Sequence, residues 1–276
     1  MAKRKDWWNR AGRTAEYVPK KKKLKTNTRA EIKKKDVSSK NISRKVFRVD
    51  ELRRPGVSEK LPGQIYRFLS SENYAKDFVS GKILVSTLNI CRSYENKARG
   101  DANEGRQTYH IDKSITGGSN DPWFLEALEG SGIHIGPGCS NITVSNHRST
   151  TYLADAYVLC TTIGFSDEAL LSDFGNYCVE IFDLVGFAEA LDAAVRNKLG
   201  TSVGLVGEVT YASQIYKYGE APPGVIGFVK EPGDYESQRE MRFLWEAPNK
   251  KIDKEIIEVT GVSRFCRIHM ATKTQN

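Results

Sequence analysis

The amino-acid sequence predicts an α+β fold in which a mostly antiparallel sheet carries flanking helices, with a basic tail in front. Segments with helical spacing occur early and midway along the chain, whereas short apolar or alternating runs fill its second half. This order, without a regular alternation of strands and helices, favours an antiparallel sheet. The third observation is the concentration of Lys and Arg at the beginning of the chain.

The tail is defined by its charge. Residues 1–50 contain 18 Lys or Arg against 5 Asp or Glu, a net charge of +13, so the remainder carries −5 within a chain of net charge +8. Such a segment cannot bury enough apolar surface to fold alone, and we expect it to be disordered or partly helical. Because Leu61, Pro62 and Gly63 mark the entry to the globular part, we divide the chain into a tail, 1–60, and a single α+β domain, 61–276.

The tail also predicts a partner, RNA or DNA. Lysines neutralise phosphates and release counterions, and tryptophans stack on bases. A merely solubilising extension would have the same composition. The residues expected to contact nucleic acid are Trp7, Trp8, Lys20, Lys21, Lys22, Lys23 and Lys25.

The composition favours a cytoplasmic location. No apolar run approaches the roughly 18 residues of a membrane span, and the charged start lacks the apolar stretch of a secretory signal. Five cysteines are scattered along the chain, without Cys-x-x-Cys spacing. We therefore expect free thiols in a reducing compartment, no membrane partner and no metal site.

The domain is predicted to begin with a strand, a helix and a second strand. The run 64–69 places Arg67 on an apolar face, where a charge must be paired or bind a ligand. A serine cap and Gly81 bound a helix over 71–80. The second strand covers 82–88.

The rest of the chain is predicted to be rich in strands after a polar middle. Residues 92–104 form a charged helix end and a loop, and residues 105–150 form loops and short strands, because Gly, Ser, Thr and Asn dominate there. A helix over 184–199 ends at Gly200. The later strands are predicted at 157–165, 177–182, 203–211, 225–230, 256–260 and 265–270.

One further strand, 238–243, carries the main candidate site. Polar and apolar residues alternate, so Gln238, Glu240 and Arg242 share one face, and Met241 and Phe243 face the core of a half-buried strand. A Gln-x-Glu pair can aim an amide and a carboxylate at one ligand. The alternative is an ordinary amphipathic strand with a solvated polar row.

Three segments together resemble the signature strands of ADP-ribosyltransferases of the Arg-Ser-Glu type. They are Tyr-Arg-Phe at 66–68, Val-Ser-Thr at 85–87 and Gln-Arg-Glu at 238–240. Leu88 stands where the family's Ser-Thr-Ser strand has its last serine. The segments 157–183 and 235–245 also resemble a bacterial family of uncharacterised proteins that share a Tyr-Arg-Phe start and a Glu-x-Arg finish.

The resemblance implies a split sheet of the ADP-ribosyltransferase type and a role for each matched residue. Glu240 would be catalytic, Gln238 would orient the acceptor, and Arg67 would bind the dinucleotide pyrophosphate. Ser86 and Thr87 would shape the nicotinamide pocket. NAD would be consumed as a substrate.

The resulting hypothesis is an NAD-consuming ADP-ribosyltransferase, a toxin or phage-defence effector that modifies nucleic acid and has a neutralising antitoxin partner. Two other hypotheses stay open. One is a non-catalytic nucleic-acid-binding protein. The other is a metal-dependent phosphodiesterase that uses Glu95, Asp101 and Glu104, although their spacing matches no known oxygen-ligand loop.

Overall fold

A computed structural model describes residues 45–93, 101–165, 174–233, 235–247 and 251–269. Several residues singled out in the sequence lie outside these ranges. They are Trp7, Trp8, Lys20, Lys21, Lys22, Lys23, Lys25 and Glu95.

The largest sheet of the described chain has nine strands, and all its pairings are antiparallel. Its strands are β1 (Val46–Arg48), β2 (Ile65–Leu69), β3 (Lys82–Thr87), β8 (Ala156–Ile163), β9 (Tyr177–Ile181), β10 (Leu205–Glu208), β14 (Glu240–Glu246), β15 (Glu255–Glu258) and β16 (Cys266–His269). The order is β1-β10-β14-β8-β2-β9-β16, with β3 between β8 and β15.

Smaller sheets pair the remaining described strands. Those strands are β4 (Arg106–Ile111), β5 (Ile115–Gly117), β6 (Ile142–Val144), β7 (His147–Tyr152), β11 (Thr210–Tyr211), β12 (Ile215–Lys217) and β13 (Val229–Lys230). β4 pairs antiparallel with β7, and β5 with β6. β12 pairs parallel with β4, and β11 with β13. The predicted α+β class with mostly antiparallel sheets is therefore confirmed.

The α-helices of the described chain are α1 (Glu72–Ser80), α2 (Leu88–Ser93), α3 (Pro122–Glu129) and α4 (Leu184–Leu199). The side chain of Ser71 accepts a hydrogen bond from the backbone N–H of Tyr74, which caps α1. Gly81 ends α1 in the left-handed region, at φ 104°, with its backbone against Val259, where a side chain would collide. Both predicted helices, α1 and α4, are present close to the expected bounds.

β14 is buried on both faces. On one face, its residues Met241 and Phe243 belong to a large apolar cluster that also contains Phe78 of α1 and Phe187 of α4. The opposite face of β14 carries Glu240, Arg242 and Leu244. β14 was expected to be half buried, and this is wrong, because its residues are buried from Glu240 to Trp245.

β8 is the branch point of the sheet. One of its edges pairs with β2 through Ile163 and Thr162, and then with β3 through Val158 and Tyr157. Between these contacts, residues 159–161 face neither strand in the described register. β2 and β3 therefore diverge along one edge of β8.

The expected boundary between tail and domain at residue 61 is wrong. β1 pairs with β10, and the side chains of Phe47, Val49 and Leu52 are buried in the main apolar cluster. The sequence analysis missed this short apolar segment because charged residues surround it, and its partners lie more than 130 residues away in β10 and α4. Two other predicted bounds also shift. Leu88 begins α2 instead of ending β3, and the polar region 105–150 contains α3 as well as strands.

Among the described residues, no helix is both long and apolar enough to cross a bilayer.

The new domain boundary is tested by two shortened chains, one beginning at Ser43 and one at Leu61. The second loses Phe47, Val49 and Leu52, and burial of each such side chain stabilises by about 1.5–3 kcal/mol. Because whole domains are stable by only about 5–15 kcal/mol, we expect the Leu61 chain to be largely unfolded and the Ser43 chain to keep the full-length Tm. Thermal melts followed by circular dichroism measure this. Equal Tm values for the two chains would contradict the boundary.

Candidate functional site

The Gln-x-Glu segment is a turn followed by a strand. Glu236–Gln238 form a 3₁₀ turn, Arg239 adopts a left-handed conformation at φ 41°, and β14 begins at Glu240. The prediction that the strand starts at Gln238 is therefore wrong, because the left-handed residue redirects the chain. Nevertheless, Gln238 and Glu240 both line one cavity.

Hydrogen bonds from neighbouring strands fix this turn. The hydroxyl of Thr162 donates to the carbonyl oxygen of Gln238 at 2.5 Å, and the N–H of Ile163 donates to the carbonyl oxygen of Arg239 at 2.8 Å. The N–H of Glu240 donates to the hydroxyl of Tyr211 at 3.0 Å. The start of β14 is thus held from both sides.

A buried guanidinium is the centre of the site. Arg242 is 1% exposed and donates through Nη1 and Nη2 to the two carboxylate oxygens of Glu104, at 2.5 and 3.1 Å. Its Nε donates to Oε1 of Glu240 at 2.7 Å, and Nη1 also donates to the carbonyl oxygen of Gly227. Arg242 therefore joins β14 to two segments that are distant in sequence.

Lys230 completes a cluster of four charges. Its Nζ lies 2.7 Å from Oε2 of Glu240 and 3.7 Å from Oε2 of Glu104. The ammonium group also lies 5.1 Å from the centre of the Tyr235 ring, within the range of a cation–π contact. We call Glu104, Lys230, Glu240 and Arg242 the four-charge cluster. Its formal charges cancel.

The cluster keeps Glu240 ionised. Burial alone would raise the pKa of its carboxyl group, but the charges of Arg242 and Lys230 outweigh burial and hold that pKa well below its usual range. Burial likewise opposes the charge of Lys230, yet Glu240 and Glu104 raise its pKa. At neutral pH, Glu240 is a fixed negative charge and a poor proton acceptor.

Arg67 approaches the same cavity from β2. Its guanidinium donates to the carbonyl oxygen of Cys160 at 2.5 Å. Cys160 lies within the part of β8 that faces neither β2 nor β3. Arg67 therefore satisfies a backbone acceptor at the branch of the sheet, and its half-buried charge lines the cavity. The expectation that this charge on an apolar strand must have a partner is confirmed.

Ser86 and Thr87 are placed elsewhere. Neither is among the described residues that line the cavity. Thr87 is buried at 1% exposure, and its hydroxyl oxygen accepts a hydrogen bond from the N–H of Ile90 at 3.2 Å at the beginning of α2. Ser86 pairs with Val158 of β8. The structure therefore shows Thr87 as a helix cap.

The carboxylates of the polar segment have different partners. Glu104 belongs to the four-charge cluster, whereas Asp101 accepts a hydrogen bond from the N–H of Asn103, and burial raises the pKa of its carboxyl group. Glu95 lies outside the described residues. Within the described ranges, no three His, Cys, Asp or Glu side chains are grouped to hold a metal ion.

The cavity lies on the face of the main sheet opposite α1 and α4 and has a volume of about 80 Å³. Its wall is divided by chemistry. Charged groups of the four-charge cluster form one part, and the rings of Tyr66, Phe68 and Phe174 line another. Cys91 and Cys160 also contribute to the wall. The site can therefore hold a small polar group beside an apolar or planar one.

Comparison of this chain with known protein families, with curated proteins and with solved structures gave no match.

Sequence reasoning identified Gln238, Glu240 and Arg67 but missed the role of Lys230. A usable signal was present, because Lys230 ends a largely apolar run and a charge there requires a partner. Glu104 was noted only as a metal-ligand candidate. Its carboxylate binds Arg242, 138 positions away, and local spacing cannot reveal such a contact.

We predict that the four-charge cluster strongly stabilises the fold. Arg242→Leu leaves two buried carboxylates with Lys230 alone, and removing one member of a buried ion pair costs about 3–5 kcal/mol. The matched control is Arg53→Leu. Arg53 donates to both carboxylate oxygens of Glu189, but its side chain is 70% exposed, so little change in Tm is expected. Similar Tm losses in the two variants would contradict the assignment.

Proposed function

We propose that the cavity binds the nicotinamide–ribose part of NAD and that the protein transfers ADP-ribose to an acceptor. The observation that supports this is the convergence of Arg67, Gln238 and Glu240 on one cavity, from segments far apart in the chain. The branch of the main sheet at β8 agrees with a split sheet of the ADP-ribosyltransferase type. Ser86 and Thr87 do not contribute to this support.

Glu240 is proposed to act electrostatically. Cleavage of the nicotinamide–ribose bond passes through a transition state with oxocarbenium character, which a preorganised carboxylate stabilises. Arg242 and Lys230 fix the position of Glu240 and keep it ionised. A carboxylate with a lowered pKa is a weak general base, so charge stabilisation is the role that fits the geometry.

Arg67 and Gln238 are proposed to orient the reactants. A guanidinium carries five N–H donors, so the bond from Arg67 to Cys160 is compatible with binding a pyrophosphate through its other nitrogen atoms. Gln238, 8% exposed, would orient the acceptor beside Glu240. Because typical ligand pockets hold about 300–1,000 Å³, the cavity would enclose one ring-sized fragment and the rest of the dinucleotide would lie at its mouth.

The acceptor is proposed to be nucleic acid, with the basic tail bringing it to the cleft. The tail's positive charge supports this choice. A toxin or defence role and a neutralising antitoxin are consistent with an activity that consumes NAD, and both remain part of the proposal. The phosphodiesterase hypothesis has no support from Glu104, which is already bound to two cations.

Glu240→Gln tests the chemistry. Loss of a preorganised electrostatic contact lowers the rate by about 10²–10³, measured as nicotinamide released from NAD. Glu104→Gln is the matched control, since it removes a carboxylate from the same cluster but leaves Glu240 ionised. Both variants lose stability, so rates are compared at a temperature where melts show each to be folded. A folded Glu240→Gln protein with the wild-type rate would exclude the proposed role.

The tail is tested by removing residues 1–42, which carry 15 Lys or Arg against 4 Asp or Glu. Each neutralised phosphate adds about 0.9 to the slope of log affinity against log salt for duplex DNA, and about 0.7 for single strands. We expect the chain beginning at Ser43 to lose most of its affinity for RNA and DNA and most of that slope, while nicotinamide release continues. Fluorescence anisotropy across a salt series measures both. Equal slopes for the two chains would show that the tail is only a solubilising extension.

A further inference from the structure

Two cysteines line the wall of the cavity. Cys91 lies in α2 and Cys160 in β8, both are half-buried, and both line the cavity. The two thiols are close enough for each to shift the pKa of the other. Each has a free thiol, so the cavity contains a dithiol that the proposed chemistry does not use.

The fold holds this pair in place. β3 pairs with β8 through Thr87 and Tyr157, and α2 begins at the next residue, Leu88. Cys91 follows one helical turn later and packs against the apolar cluster that contains Val158 of β8. Residues 69 positions apart in sequence are thereby brought together by one strand pairing and one helical turn.

The surroundings shift the pKa of both thiols. The neighbouring Cys160 thiol, assisted by Arg242, lowers the pKa of Cys91, although burial opposes it. The Cys91 thiol and burial raise the pKa of Cys160. Burial raises the pKa of Cys178 and Cys266 to about 12. Because thiolates are the nucleophiles, Cys91 is favoured over Cys178 and Cys266 as the attacking sulfur.

We propose that Cys91 and Cys160 are a redox-active pair, which hydrogen peroxide oxidises to a disulfide and a dithiol reductant restores. The Cys91 thiolate attacks one peroxide oxygen, the O–O bond breaks, and Cys91 becomes a sulfenic acid. The hydroxide that leaves the peroxide takes up the proton released by the Cys91 thiol and becomes water. The sulfur of Cys160 then attacks the Cys91 sulfur. The S–S bond forms, the S–O bond breaks, and the thiol proton leaves with hydroxide as water. Two thiols and one peroxide thus give one disulfide and two waters.

The disulfide would alter the site beside Glu240. The Cys160 thiol contributes to the lowered pKa of the Glu240 carboxyl group, and a disulfide has no S–H with which to do so. The joined sulfurs also change the wall of a cavity of only about 80 Å³. Oxidation is therefore expected to slow nicotinamide release. This consequence rests on the proposed function, whereas formation of the disulfide does not.

Counting thiols by mass tests the pair without an activity assay. The full-length reduced protein is treated with hydrogen peroxide, quenched with catalase, denatured and alkylated with iodoacetamide. All five cysteines are alkylated before treatment; after treatment we expect two fewer adducts and a linked peptide joining Cys91 to Cys160. Dithiothreitol restores the lost adducts. Cys139→Ser, which changes an exposed cysteine outside the cavity, forms the same linkage, whereas Cys91→Ser and Cys160→Ser do not.

The possible outcomes are distinct. Retention of all five adducts, a linkage between other cysteines or between two chains, or independent oxidation of each sulfur would overturn the redox pair. Nicotinamide release is then compared for oxidised and reduced protein. A disulfide together with no release from the reduced protein would leave the pair intact and refute the proposed function. Equal release from both forms would refute the effect of the disulfide on the site.

Discussion

The arrangement of the cleft depends on the buried guanidinium of Arg242. A charge removed from water is costly unless it is paired and hydrogen-bonded, and Arg242 meets both conditions with Glu104, Glu240 and the Gly227 carbonyl. These contacts require β14, the turn before β4 and the loop before β13 to meet at one place. Lys230 then makes the cluster neutral. The position of Glu240 is thus a consequence of how one buried charge is satisfied.

The branch of the main sheet explains why a cavity lies beside this cluster. β2 pairs with one part of an edge of β8, and β3 pairs with another part of the same edge. Between these two pairings, residues 159–161 have no strand partner on that edge in the described register. A side chain must satisfy those polar groups, and Arg67 does so at Cys160. The gap between β2 and β3 therefore also places the guanidinium group of Arg67 at the cavity. Arg67 has a structural contact there, whatever ligand the cavity holds.

The cavity combines groups of different chemistry within a small volume. The four-charge cluster supplies fixed charges, Tyr66 and Phe68 supply aromatic surface, and Cys91 and Cys160 supply a thiol pair. A ligand with a planar ring next to a polar, charge-developing centre matches this division, which is why cleavage at a nicotinamide–ribose bond is the proposed chemistry. The thiol pair would connect the same site to the redox state of its surroundings, since Cys160 lines the cavity together with the carboxylate on which that chemistry depends.

The sequence by itself determined the elements whose signals are local. Helical spacing with a serine cap and a glycine stop defined α1, and period-two alternation placed Glu240 and Arg242 opposite Met241 and Phe243. It also led to Arg67, since a charge on an apolar strand face demands a partner, and to Glu240, through the Gln-x-Glu pair. Only the tertiary structure decided which partners those charges have. Glu104 binds Arg242, and Cys91 and Cys160 line one cavity, although the members of each pair lie far apart in the chain. Periodicity reports which face of an element is buried, whereas pairing depends on which faces pack together, and that is settled only when the whole sheet has formed.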